Sequence, residues 1–283
     1  ENISVVFILG ILGYMFYTVY TKYGVEVAAT ITNIKGTWGL PFWGGTTAFL
    51  GIYSTMILNG SDYSRELKRE TKPAMTGSLY WLSILPATLF MGLIGLMVSG
   101  ATGNNDPVAV FSTAMDNQFL TIMTLMFVAF AQVTTNVLNN IVPPVYVLMD
   151  TFHLSYKKSA ILVGILSICT FPWLLVRPES AGGLSLFVQI YSAFLGPIFA
   201  VLVVDYFIIR KKKLNLNDYY NADGAFKGIN WAGVIAIIAG SIVSLFFVQI
   251  SWYASLLPTG LLYYFLMKNM KKAAPFRKGT IFE

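Results

Sequence analysis

Ala131–Pro144 reads AQVTTNVLNNIVPP and lies late in an apolar run that begins near Phe119. A run of that length predicts a membrane-spanning helix. Gln132, Thr134, Thr135, Asn136, Asn139 and Asn140 fall within the stretch, and none of its residues carries a formal charge. Amide side chains are costly in hydrocarbon and face protein, water or a bound solute. Ala131, Thr134 and Thr135 are spaced i, i+3, i+4 and share one helical stripe. Asn136 and Asn140 form a second stripe about 140° round from Ala131, at about 100° per residue. Two polar stripes of different chemistry suggest two neighbours: a hard cation beside the hydroxyls, and a flat, neutral, amide-rich solute beside the asparagines.

The rest of the chain supports a membrane setting. It has 283 residues, is 56% hydrophobic and 11% charged, and has a mean hydropathy of +0.65. Soluble domains carry about 25% charge. Eight apolar stretches, at residues 3–21, 38–60, 75–99, 119–149, 158–176, 184–208, 230–250 and 252–268, predict an all-α polytopic membrane protein. The last two are read as a hairpin joined at Ser251. The chain begins at Glu1, and upstream spans are expected to precede it. Cys169 is the single cysteine, so no intrachain disulfide can form.

The net charge of +6 follows topology and does not indicate nucleic-acid binding. Of the 19 Lys and Arg, 16 lie after the second, fourth and sixth spans or in the tail, leaving only Lys22, Lys35 and Arg177 on the other side. The positive-inside rule then makes the C-terminus and the basic loops cytoplasmic and the loop around 100–118 exterior.

Gly44, Gly45 and Gly51 punctuate the second span. Gly51-Ile52-Tyr53 has two readings. A helix broken there would free backbone groups for a solute and present the Tyr53 ring to it. Alternatively, the glycines only let helices approach. Asp62 and Arg65, spaced i, i+3, could form an edge pair or an inner-gate latch. Thr134 and Thr135 suit a sodium ion, though such hydroxyls also bond back to the i−4 carbonyl. Asn136 and Asn140 match an imide edge, or else tie helices together. In the sixth span Gln189 is a polar outlier, Gly196-Pro197 predicts a kink, and Asp205 is read as interfacial. No Asp, Glu, Lys or Arg sits at mid-span, and His153 has no metal-ligand cluster around it in the sequence. No nucleophile–base pair or phosphate loop is present, so the reading is a transporter, not an enzyme, with no cofactor.

Three stretches carry a family resemblance: GIY with SDYSR after Leu50, AQVTTNVLNNIVPPVYVL from Ala131, and YSAFLGPIFAVLVVDYFIIRKKKLNLNDYY from Tyr191. The chain resembles the nucleobase–cation symporter-1 family, and within it bacterial allantoin permeases. The resemblance implies the second half of a five-plus-five inverted-repeat, leucine-transporter-like fold. Residues 1–37 would be the fifth helix and an outer loop, 38–208 the second repeat, and 209–283 a basic loop, two further helices and a cytoplasmic tail. It also implies a sodium site at Ala131 (through its backbone oxygen), Thr134 and Thr135. The implied solute site comprises Gly51, Ile52, Tyr53, Asn136, Asn140 and Val188, with Tyr53 stacking from a broken sixth helix and Val188 capping as a thin outer gate. A hydantoin-transporting member has tryptophan at the Tyr53 position and serine at the Thr134 position. The expected activity is cation symport, with sodium as the coupling ion, of allantoin or another small planar amide across the plasma membrane. Proton-coupled cytosine, uracil, purine or hydantoin transport is the alternative. Its partners would be the solute, the bilayer and the missing N-terminal helices, without which this stretch is not expected to transport.

Overall fold

The computed structural model describes residues 2–33, 35–64, 67–68, 70–103, 117–175, 181–221 and 223–283. In chain order the α-helices are α1 (Asn2–Asn33), α2 (Leu40–Leu58), α3 (Gly60–Ser64), α4 (Pro73–Thr102), α5 (Gln118–Asn136) and α6 (Val142–Phe152). There follow α7 (Tyr156–Cys169), α8 (Pro172–Leu175), α9 (Ala181–Val203), α10 (Leu216–Tyr220), α11 (Trp231–Leu245) and α12 (Ser251–Asn269). Among the described residues there are no strands. Within the described residues, each of the eight expected apolar stretches lies mainly on helix. Pro73–Gly100, Thr121–Phe152, Tyr156–Leu174 and Leu186–Ile209 are long and apolar enough to cross a membrane, and Trp231–Leu245 is a shorter apolar helix. The Asp62–Arg65 pair, Arg177 and most of the 100–118 loop lie outside the described residues or side chains.

Three boundaries differ from the sequence reading. α1 runs on to Asn33, because nothing after Tyr20 stops it: the only glycine is Gly24, no proline follows, and Val25–Ala29 is helix-compatible. α11 ends at Leu245, and a 3₁₀ turn, Val248–Ile250, makes the hairpin into α12. α2 is helical straight through Gly51–Tyr53, which corrects the expected mid-span break. The chain leaves this helix at Asn59 instead, whose N–H bonds back to the Thr55 carbonyl before Gly60 opens α3.

The chain divides into two compact units. The first contains residues 1–36 and 61–167. Here α1 packs along α4 through buried Met15, Val19 and Val27 against Ile94, Met97 and Val98, with Phe16 and Phe90 rings 5.2 Å apart. α5 and α6 are joined by a π-helical turn, Val137–Ile141, and α6 ends at His153 in the left-handed region (φ 52°).

The second unit contains residues 37–60 and 168–283. Its α2, α9, α11 and α12 approach through small residues. A Cβ at Gly196 would strike Ser255 Oγ and lie 3.2 Å from the Trp252 carbonyl, and one at Gly240 would strike Thr259 Oγ1. Buried serines bond across helices: Ser244 Oγ donates to the Ala193 carbonyl (3.0 Å) and Ser251 Oγ to the Gln189 carbonyl (2.8 Å). Small and hydroxyl residues bring backbones together where lipid gives little hydrophobic drive between helices.

Candidate functional site

The polar stretch from Ala131 meets two prolines, and that decides its geometry. Pro143 and Pro144 have no N–H, so the α-type partners of the Asn139 and Asn140 carbonyls are missing. The helix widens just ahead of them: Val137–Ile141 is π-helical, and the Val142 N–H reaches back to the Val137 carbonyl. The amides form a ladder along this face. Asn140 Nδ2 donates to Asn136 Oδ1 (2.6 Å), and Asn136 Nδ2 donates to the Gln132 carbonyl (2.8 Å) and to Gln132 Oε1 (3.2 Å). All three side chains are exposed. One N–H of Asn140 serves the ladder, and an amide offers a second N–H and a carbonyl oxygen beyond that.

Thr134 lies in α5, where its hydroxyl donates to the Phe130 carbonyl at 3.2 Å. That bond uses the proton, whereas a cation would use the oxygen lone pairs. Ala131 and Thr135 are helical, and their side chains lie outside what the structure describes.

In the second unit, Gly51 and Val188 are brought together. Gly51 is buried, and a Cβ there would strike Ser192 Oγ and come within 3.0 Å of Val188 Cγ1. Ser192 Oγ in turn donates to the Val188 carbonyl at 2.6 Å, and Ser54 Oγ to the Leu50 carbonyl. Gly51 is therefore a seat for α9. Ile52 is exposed, while Tyr53 and Val188 are half-buried. The nine residues singled out in the sequence thus fall in two sets: Gly51, Ile52, Tyr53 and Val188 in the second unit, Ala131, Thr134, Thr135, Asn136 and Asn140 in the first.

Sequence reading missed a polar cluster at the end of α9. A second π segment, Val204–Ile209, places Arg210 over Asp205 at i, i+5, with Arg210 Nε 2.7 Å from Asp205 Oδ2. The other carboxylate oxygen accepts from the Tyr263 hydroxyl at 2.7 Å. Arg210 is 6% exposed and donates both terminal nitrogens, at 3.0 Å each, to the Phe276 and Lys278 carbonyls. Its guanidinium lies 4.9 Å from the Phe226 ring centre and 5.6 Å from that of Tyr219. Burial pushes the Tyr219 phenol above its ordinary pKa, and the nearby Arg210 pulls it part-way back. The cluster fastens the C-terminal 3₁₀ segment, Lys271–Arg277, to the end of α9. Beside it opens a cleft of about 630 Å³ lined by Leu58, Phe199, Leu202, Asp205, Phe207 and Leu216, among others.

The family model for permeases of cytosine/purines, uracil, thiamine and allantoin matches residues 2–269. The chain belongs to this family. Its members are permeases, not enzymes. The allantoin permease of Bacillus subtilis (strain 168) is 29% identical over 245 residues, covering 81% of this chain and 49% of its own length. The hydantoin permease of Microbacterium maritypicum is 24% identical over 253 residues, 84% of this chain and 51% of its own. The fold matches a nucleobase-cation-symport-1 family transporter solved in a closed conformation with bromovinylhydantoin bound. The TM-score is 0.77 at 21% identity, over 98% of this chain and 64% of that one. The inward-facing conformation of that transporter gives 0.76 over 97% and 60%. This chain spans about half the length of the curated relatives it matches. Its fold is the all-helical one of that transporter, and it is a multi-pass membrane protein.

Proposed function

We propose that the complete protein is a secondary active symporter for a small, planar, amide-rich solute, with allantoin the first choice, and that sodium is the coupling ion. The observation that carries this is the exposed, uncharged ladder Gln132–Asn136–Asn140 at a π-helical turn. A solute edge that alternates donors and acceptors can extend such a ladder from Asn140, and a charged solute would not need it. In the same reading Tyr53 would offer a ring for stacking, and Gly51, Ile52 and Val188 are the other residues assigned to the solute. Ala131, through its carbonyl, and the Thr134 and Thr135 hydroxyls supply oxygens of the kind a hard cation takes. The likeness to the allantoin and hydantoin permeases supports the solute class. Transport would proceed by alternating access, with ion and solute bound near the membrane midplane. Sodium would raise solute affinity through a coupling of about 1–3 kcal/mol. In this reading the basic loops and the C-terminus are cytoplasmic, and residues 38–208 form the second inverted repeat.

Allantoin uptake by the full-length protein, with sodium against choline at two pH values, tests the coupling. Sodium-dependent, pH-insensitive uptake is expected. Uptake that ignores sodium and follows pH would replace it with proton coupling. Asn140→Ala should abolish solute binding, and normal uptake by that variant would remove the solute site. Thr135→Ala should weaken sodium stimulation more than sodium-free binding.

A further inference from the structure

None of the residues assigned to the solute or to sodium lines the cleft beside α9. Its apolar wall is built from Leu58 of α2, Phe199 and Leu202 of α9, Phe207 of the π segment, Leu214, and Leu216 of α10, with Asp205 and tyrosine side chains also lining it. Lys211–Lys213 follow Phe207 in the chain, where the apolar span Leu186–Ile209 gives way to a run of cations, and Lys212 reaches over the ring of Phe207, which lines the cleft. We propose that this cleft binds an anionic phospholipid, with an acyl chain along the apolar wall and the phosphate on Lys211–Lys213.

Four observations support this occupant. Arg210 is not open to a headgroup, because it is 6% exposed and is held by Asp205 and two tail carbonyls. The three lysines are exposed, and none forms an ion pair with a described residue. Lys212 Nζ stands 5.5 Å from the centre of the Phe207 ring, so a cation is held over an aromatic that itself lines the cleft. The backbone fixes this arrangement. Lys211 and Lys212 both take left-handed φ values (50° and 64°), pinned by Lys212 N–H to the Tyr206 carbonyl (2.7 Å) and Lys213 N–H to the Arg210 carbonyl (2.9 Å). Two consecutive non-glycine residues in that region are costly, and such cost is found where position matters.

The carboxylates nearby do not oppose an anion. Asp205 is paired with Arg210 and Tyr263, and Asp218 with Asn215 and Lys278. A soluble anion would gain nothing from the apolar wall. A volume of about 630 Å³ lies in the range of small-molecule sites. Lysines at the end of an apolar span are the usual partners of anionic headgroups, worth about fivefold in binding each, so three give on the order of a hundredfold at low salt.

The test uses full-length protein in nanodiscs of equimolar phosphatidylglycerol and phosphatidylcholine, with the lipid retained on extraction into mild detergent counted by native mass spectrometry. Wild type should retain phosphatidylglycerol in preference to phosphatidylcholine. The triple variant Lys211→Gln, Lys212→Gln, Lys213→Gln should lose that preference by tenfold or more. Leu202→Trp, with Leu216→Trp as a second cleft-filling variant at an exposed position, should also lose retained lipid with all charges kept. The proposal is overturned by no preference in wild type, by a preference that survives the triple variant, or by retention that survives both tryptophans, since that would mean headgroup attraction alone. Displacement of phosphatidylglycerol by millimolar inorganic phosphate would also overturn it, in favour of a free-anion site. The readout is lipid, not uptake, so it stands or falls apart from the solute assignment.

Discussion

Replacing Arg210 by methionine should unfasten the C-terminal segment, and the structure sets the size of the effect. The guanidinium is 6% exposed and the Asp205 carboxylate 19%. Breaking a buried pair by removing one partner costs about 3–5 kcal/mol, because the other charge is stranded. Asp205 keeps the Tyr263 hydroxyl as a donor and some contact with water, which points to the lower end. The Phe276 and Lys278 carbonyls lose their partners, but a loosened tail can turn them to solvent. The net expectation is about 3 kcal/mol, or on the order of 5–10 °C in Tm. Asp205→Asn should cost less, since the amide still accepts from Tyr263 and Arg210 keeps both carbonyls. The double variant should cost clearly less than the sum of the two, because the stranded charge is gone. Arg210→Lys should not rescue, since one ammonium cannot span a carboxylate and two carbonyls as the planar fork does. The assays are thermal unfolding of the purified full-length protein and tryptic cleavage at Lys271 and Lys272. Unchanged Tm together with unchanged protection of those sites in Arg210→Met would refute the reasoning.

Two further outcomes follow from close contacts. Gly240→Ala should destabilise by about 1–3 kcal/mol, because the new methyl would occupy the space of Thr259 Oγ1, and adding Thr259→Ala should recover much of the loss in the same unfolding assay. Along the amide ladder, Asn136→Ala removes the 2.6 Å acceptor that orients Asn140, whereas Gln132→Ala removes only a 3.2 Å bond and leaves the Gln132 carbonyl in place. Solute affinity measured by calorimetry should therefore fall by about fivefold to twentyfold in the first and less than about fivefold in the second; equal effects would mean the ladder does not position Asn140.

The eight apolar stretches were legible because hydrocarbon makes one simple demand, about 20 apolar residues in a row, and sequence states that directly. The transporter reading came from the uncharged amides of α5 taken together with the resemblance of three stretches to a symporter family, since the amides alone could equally tie helices together. Gly51 was not legible. Its neighbours in sequence allow both a broken helix and a packed one, and the choice is made by Ser192 and Val188, far along the chain. The end of α1 was missed because Lys22 was placed beyond the span, yet it and Glu26 are exposed on a helix that continues to Asn33.

The larger misses share one cause. Stripe arguments assume 3.6 residues per turn, and among the described residues the chain abandons that period at Val137–Ile141 and at Val204–Ile209. Each time an extra residue is taken into the turn, and residues beyond it are rotated away from where an α-helical wheel puts them. Asp205 and Arg210 could not be paired by the i, i+3 or i, i+4 rule, because they meet at i, i+5. The Asn136–Asn140 stripe survived only because its lower half, Gln132 to Asn136, is still α-helical and the ladder bond bridges into the widened turn. Sequence carried a trace of the first break in Pro143–Pro144, whose missing N–H groups leave the carbonyls ahead of them without α-type partners. It carried a fainter trace of the second in Gly196-Pro197, which lies a full two turns upstream. In both cases the irregular turn is where the chain keeps its polar groups: amides at one, an ion pair and a lysine run at the other. A helix that only spans a membrane has no reason to give up regular hydrogen bonds, and among the described residues both π segments lie beside polar side chains, amides at one and the Asp205–Arg210 pair at the other.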